Sequence, residues 1–509
     1  MDRRSLHMVF ACPQCRRSRF GWIAPRAWPR PQQRFPGRDI VRKSAAAFVA
    51  TSAIGLVVAG GVAALAASDA GQARDGQLEA HSNQYFGVSS GLDASSSRDI
   101  TAAEATADPR ALATFAKGLS AEVVTSGVAA PNLDMGALWP VTGSPRYIVY
   151  CNEQGTGNPG VQLIELATGD AETVLTGTAS CDAAHTTPWG TVVIGEERAD
   201  GHVYEILDPT ALIGHPVTVN RTAPTPATAV PVEAQAQVAR RDAMGANAFE
   251  GLGILASGVA YYGDELGPSG GNRGGAYHKF VPAQTTSATH VSSLDQSPLK
   301  AGTVYGLRVS DGSNYGQGMS YGRGTWIPLT TPGSLRDQRE AKGLTGYYRP
   351  EDLAFDEKAL ADGKVRFCGN NTGREEAHYY GETTCMTDGS TTEAATGSST
   401  PEVQLLVQGS PEYNMPDNIA YQPGRGNWIV HEDAETTFER PHNNDLWSCL
   451  EDGMDADQQS DGCIRIATLN DLSAEWTGGF FDATGEHFYV SVQHNKTGKG
   501  VVLDVTGWK

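Results

Sequence analysis

Pro188-Trp-Gly-Thr-Val-Val-Ile-Gly-Glu-Glu197 is a turn containing Gly, a run rich in β-branched residues, and two acids. Gly supplies the turn and β-branched side chains suit a pleated surface, so the stretch reads as one strand with charge at its far end. The same unit recurs as ASGVAYYGDE ending at Glu265, DGKVRFCGNN ending at Asn371, GRGNWIVHED ending at Asp433 and TGEHFYVSVQHN ending at Asn495. These endings lie 62 to 106 residues apart. A propeller blade takes about 40 to 50 residues, so the intervals fit one blade plus inserted loops, with Gly267–Gly275 and Thr383–Pro401 read as insertions. The expected fold is an all-β, six-bladed β-propeller.

Outward from these units, short strands are expected at Tyr147–Tyr150, Val161–Glu165, Thr191–Ile194, Val203–Ile206, Gly258–Tyr262, Tyr277–Val281 and Gly302–Val309. They continue at Thr325–Leu329, Lys364–Phe367, Val403–Val407, Trp428–Val430, Ile464–Thr468, His487–Val492 and Val501–Val505, with helical periodicity nearly absent. Radial repetition brings equivalent strand ends to one axis, so acids scattered in sequence converge: Glu196, Glu197, Asp264, Glu265, Glu432 and Asp433. Such carboxylates repel one another or take up protons unless cations join them, and hard cations such as Ca2+ suit oxygen donors. The alternative for each acid is a solvated blade turn.

The N-terminus reads as a leader. Residues 1–43 form a basic extension, whose Cys12-Pro-Gln-Cys15 lacks the second ligand pair that a zinc knuckle needs. Residues 44–67 contain the apolar run Ala45–Ala67, a signal peptide with cleavage expected after Ala66 or, alternatively, a retained membrane segment. Arg42-Lys43 before this run is a variant of a twin-arginine signal, so export to the periplasm or the exterior is expected. Residues 68–110, rich in Ala, Ser, Asp and Gly, read as a linker or flexible arm, and residues 111–509 as the propeller.

Past Arg74 the chain carries 27 basic against 55 acidic residues, a net charge near −28. That surface repels phosphodiester backbones, so nucleic acid is not an expected partner, and nor is a membrane once the leader is removed. Six cysteines follow the leader, an even number suited to an oxidising compartment, with Cys368–Cys385 and Cys449–Cys463 as local pairs. A Ser-His-Asp hydrolase is not indicated, because His185, His431 and His494 each sit beside polar loop residues without a recognisable catalytic partner.

Ser180-Cys-Asp-Ala-Ala-His-Thr-Thr-Pro-Trp-Gly-Thr-Val-Val-Ile-Gly-Glu-Glu197 resembles a segment of the PhoX-type alkaline phosphatases. Further segments resemble the same family in the same order: Met244–Glu250, Tyr261–Glu265 with Tyr277–Val281, Tyr348–Asp352, Pro416–Asn418 leading to Trp428–Asp433, and Trp476–Phe480 to His494. The resemblance implies a propeller channel holding calcium and iron (Ca2+ and Fe3+) that hydrolyses small phosphate monoesters. Carried over by motif, Cys181 would be an iron thiolate, and Glu196, Glu197, Glu250, Asp264, Glu351 and Glu432 carboxylate ligands. Glu265 and Asp417 are further candidates.

Cys181 has a second reading, a disulfide with Cys151. Arg349 is expected to grip the substrate phosphate, because a planar guanidinium binds two oxygens at once, or else to pair with a neighbouring acid. The sequence departs from the family at Phe249, where a His usually precedes the Glu, and at Glu432, where Asp is more usual. The chain is expected to be a monomer. A non-catalytic calcium-binding extracellular propeller and a calcium-dependent lactonase or phosphotriesterase are the competing functions.

Overall fold

The computed structural model describes residues 77–509 apart from 142, 224, 226–227, 270–271, 310–319, 375–376, 435–441 and 454–456. The basic extension, the Cys12–Cys15 pair and the export segment lie outside the described residues. Among those described, no helix is long and apolar enough to cross a membrane.

The fold is all-β and propeller-like, built from antiparallel meanders. One sheet runs Leu133–Trp139, Tyr147–Asn152, Pro159–Glu165 and Ala171–Thr176, with Val217–Thr218 added parallel at its edge. The next holds Cys181–Thr186, Val192–Glu196, Val203–Ile206 and Val238–Arg240. A nine-stranded sheet follows, from Leu252–Ile254 through Ala260–Tyr262, His278–Pro282, Gly302–Val309 and Gly322–Pro328, then Glu402–Gln408 back through Glu382–Ser390 and Lys364–Asn371 to Pro350–Phe355. Its two halves join at Gly322↔Val403 and Arg323↔Glu402. The last sheets are Pro416–Tyr421, Trp428–Glu432, Asp445–Cys449, Cys463–Leu469 and Ala113–Phe115, and then Glu475–Phe481, Phe488–Gln493, Val502–Thr506 and Ser120–Thr125.

The strands form five hydrogen-bonded sheets, because two meanders share an edge, so the sheets alone do not give the six blades expected. The stretch Thr383–Pro401, read as an insertion, instead supplies most of the Glu382–Ser390 strand and the short helix Thr391–Ala394. Its polar and small residues hide the strand from a hydrophobic reading.

The strands at Leu133, Cys181, Leu252, Pro350, Pro416 and Glu475 touch one another in that order, and the last touches the first. The ring is fastened by Ser120–Thr125 pairing with the C-terminal Val502–Thr506. Apolar faces between the sheets bury Trp189, Trp428, Trp476 and Tyr150 completely, so the sheets are held by side-chain packing.

Residues 68–110 were expected to be a linker or flexible arm. From residue 77 on they instead form helices Ser82–Phe86 and Ala102–Ala107 and bury Leu78, Phe86, Val88 and Ile100 against Ile466 and Leu469. Ser95 Oγ donates to Asp445 Oδ1 at 2.9 Å and Ile100 N to Asn470 O at 2.6 Å. These apolar anchors are too widely spaced to show a period, and each gains its worth only from the sheet beneath it.

Candidate metal centre

Four of the ring strands begin alike. Asn132, Ser180, Arg349 and Met415, with φ of 56°, 48°, 59° and 51°, adopt the left-handed conformation that side chains other than Gly rarely take. Each directly precedes its ring strand, and the pairing register of each strand then slips between its first residue and the fourth. A bulge of this kind re-aims a side chain off the pleat. The residue placed there is Asp134, Asp182, Glu351 and Asp417 in turn.

The ends of the neighbouring strands bring further acids. One carboxylate oxygen from each of Asp182, Glu197 and Glu250 lies within 4.8 Å of the others, and the same holds for Glu250, Glu351 and Asp417, so Glu250 joins the two groups. Gln493 Nε2 donates to Asp134 Oδ2 at 3.2 Å and to Glu153 Oε2 at 3.1 Å, tying both to the same wall. Burial and then the neighbouring acids push Asp182, Glu197, Glu250, Asp417 and Glu475 well above the carboxylate range. The same causes lift Asp134 to about 7, chiefly burial and then Glu153. Glu351 rises to about 8 by burial, opposed by Arg349.

Asp182 Oδ1 and Glu351 Oε2 are buried without a hydrogen-bond partner among the described residues. Orphaned, mutually repelling carboxylate oxygens fit a hard cation, which takes six to eight oxygen ligands in the case of Ca2+. Thr372 Oγ1 donates to the other oxygen of Glu351, fixing its direction. Arg349 Nε donates to Glu265 Oε1 at 2.7 Å, and its Nη2 stands 3.2 Å from Glu351 Oε1, so the alternative reading of this residue as an ion-pair partner describes its position here.

Of the expected ligands, Glu197, Glu250, Glu351 and Asp417 meet at the axis, and Glu265 lies beside them. Four others do not meet there. Cys181 is bonded to Cys151, so it offers no thiolate. Glu196 is turned away and receives Arg221 Nε and Ala179 N, each at 2.8 Å. Asp264 is gripped by Arg336 at 2.7 and 3.0 Å. Glu432 accepts from Asn414 N at 2.9 Å and Trp447 Nε1 at 2.8 Å, beside Asp445.

The three doublets divide alike: Glu197 and Glu265 stand with the axial acids, whereas Glu196, Asp264 and Glu432 are taken up by neighbouring donors. Asp433 likewise acts electrostatically on Glu351, Asp417 and Glu475, while Glu432 does not. At Phe249 the ring is fully buried and packs 5.2 Å from Tyr262.

Sequence reading missed Asp134, Glu153, Asp182 and Glu475 as members. One signal was present: Tyr147-Ile-Val-Tyr-Cys-Asn-Glu153 is a further copy of the recurring unit, with its acid at the end.

A family profile described as "Alkaline phosphatase PhoX" matches residues 144–496, more than half of the chain and all of the ring just described except the first strand. The chain belongs to the PhoX family. No curated protein sequence matches it. Among solved structures it is similar to Pseudomonas fluorescens PhoX in complex with vanadate, a transition-state analogue, at 17% identity and a TM-score of 0.54. That match covers 82% of this chain and 98% of the other, and shows the PhoX fold. A gluconolactonase from Xanthomonas campestris also matches, at 13% identity and a TM-score of 0.37, over 82% of this chain and 95% of that one. The PQQ-bound aldose sugar dehydrogenase from Streptomyces coelicolor does so at 13% identity and 0.38, over 77% and 99%.

Proposed function

We propose that this chain is an exported phosphatase that hydrolyses small phosphate monoesters at a cation cluster on the propeller axis. The observation that carries the reading is the meeting of Asp182, Glu197, Glu250, Glu351 and Asp417 beside Arg349, in a member of the PhoX family. The ring of six strands in mutual contact supports a count of six blades, the nine-stranded sheet being two blades fused at one edge. Export rests on the leader, and a monomer is the working state.

Asp182, Glu197, Glu250, Glu351 and Asp417 would hold the cations. Their oxygen-only donor set suits Ca2+ and Fe3+ alike, without the sulfur ligand expected at Cys181. When bound, the cations supply positive charge that offsets the phosphoryl dianion. Arg349, 29% exposed at its side chain, would exchange Glu265 for the phosphate oxygens and stabilise the charge they gain. Its left-handed backbone and the following Pro350 fix the direction from which the guanidinium approaches. Thr372 keeps Glu351 aligned through a hydrogen bond.

The test is hydrolysis of an aryl phosphate by the chain from residue 68 onward with Ca2+ and Fe3+ present. Activity that falls on chelation supports the reading. Turnover of lactones or phosphotriesters with none of monoesters would replace it.

A further inference from the structure

Next to Arg349 stands an aromatic surface that the hydrolysis itself does not use. Tyr379 is 37% exposed, one of few large apolar side chains so open among the described residues. Its ring lies 5.5 Å from that of Tyr348, the residue before Arg349, at an interplanar angle of 51°.

The segment carrying Tyr379 is bound to the Arg349 backbone. Thr372 N donates to Arg349 O at 3.0 Å and Gly373 N to Tyr348 O at 3.1 Å. Arg374 and Tyr379 then exchange backbone hydrogen bonds, Arg374 N to Tyr379 O at 2.6 Å and Tyr379 N to Arg374 O at 3.2 Å. Thr372 also reaches Glu351 through its hydroxyl, so this segment touches the acid cluster at one end and presents the ring at the other.

The near side of this surface is left bare by Gly267. A Cβ there would stand 3.6 Å from Arg349 Cγ and 3.8 Å from Tyr348 Cε1, in the space between the guanidinium stem and the ring.

We propose that the leaving group of a phosphate held by Arg349 lies over this space against Tyr379, which the buried Tyr348 ring backs, and that this ledge selects phosphate monoesters whose leaving group is a planar aromatic. This rests on the phosphatase reading and adds the class of leaving group. Ring faces attract one another in offset or tilted arrangements beyond what their buried area gives, and a saturated ring of equal size lacks that term.

The experiment compares benzyl phosphate with cyclohexylmethyl phosphate, both primary alkyl esters with leaving groups of similar acidity, and reads how their ratio changes on substitution. Wild-type chain should favour benzyl phosphate in kcat/KM by about three- to tenfold. Tyr379→Ala should bring the ratio close to one, with benzyl phosphate losing more than cyclohexylmethyl phosphate, and Tyr379→Phe should keep the preference. Each ratio is internal to one preparation, so partial misfolding does not alter it. A ratio unchanged in Tyr379→Ala, or an equal fall on both esters, overturns the ledge and leaves the phosphatase standing. No turnover of either ester by the wild type overturns the phosphatase reading, and the ledge with it.

Discussion

Arg349 Nε donates to Glu265 Oε1 across 2.7 Å, from a backbone held at a φ of 59°. A cation of the protein's own is thus stationed at the edge of a cluster of acids, in a backbone conformation that costs free energy to keep. Burial alone would disfavour the charged guanidinium, and Glu351 and then Glu265 reverse that, leaving Arg349 firmly charged.

Arg349→Ala should lower kcat/KM on phosphate monoesters by about 100- to 1000-fold, the range found when one transition-state donor is removed. Arg349→Lys should recover little of it, because an ammonium cannot bind two oxygens in a plane. Steady-state kinetics on one aryl phosphate check both. Activity within a factor of three of wild type in Arg349→Ala would remove this residue from the reaction.

Glu196 and Glu197 should separate by measurement. Glu197→Gln should lose bound cation with little change in melting temperature of the metal-free chain. Glu196→Gln should keep the cations and lose stability by about 1 to 3 kcal/mol, since it weakens a buried acceptor of Arg221 and Ala179 N. Calcium titration by calorimetry together with thermal melts gives both readouts.

Stability of the metal-free chain should fall as pH rises. Asp134 stands at about 7 and Glu351 at about 8, above the values of about 4 in an unfolded chain. The folded state therefore holds protons that the unfolded state has released, so the contribution is complete below about pH 4 and is lost as pH climbs through 7 and 8. Chelated protein should melt at progressively lower temperature from pH 5 to pH 8.5, and added Ca2+ should restore most of the loss. A melting temperature that rises across this interval would contradict the buried cluster.

No free thiol should be found in the chain from residue 68 onward after denaturation without reductant, because Cys151–Cys181, Cys368–Cys385 and Cys449–Cys463 account for all six of its cysteines. The double variant Cys151→Ala/Cys181→Ala should cost about 2 to 4 kcal/mol of stability and still bind cations. Loss of iron in that variant, with the fold intact, would return Cys181 to the metal.

The sheets were legible where their faces are apolar, in strands that stand one to three places out from the ring. Tyr147–Asn152, Val203–Ile206, Gly302–Val309 and Cys463–Leu469 carry the β-branched and aromatic runs that packing between sheets demands. The ring strands at Leu133, Cys181, Leu252, Pro350, Pro416 and Glu475 were not read as strands at all. Acids, Gly and Pro occupy them because they face the axis, and a bulge breaks the alternation that would have shown five of them. In each acidic doublet one member stands towards the cluster and the other is satisfied by neighbours distant in sequence, such as Arg221, Arg336 and Trp447, a choice that the doublet itself does not spell out. Glu250, on no regular strand, was reachable only through its motif.

Elemental analysis of the purified chain, after dialysis against Ca2+ and Fe3+ and removal of the excess, tests the central claim most directly. The account predicts more than one tightly held cation per chain, with calcium among them, and a marked loss in Asp182→Asn/Glu250→Gln while the fold persists. A wild-type chain that retains no metal, or a double variant that retains as much as the wild type, would contradict it.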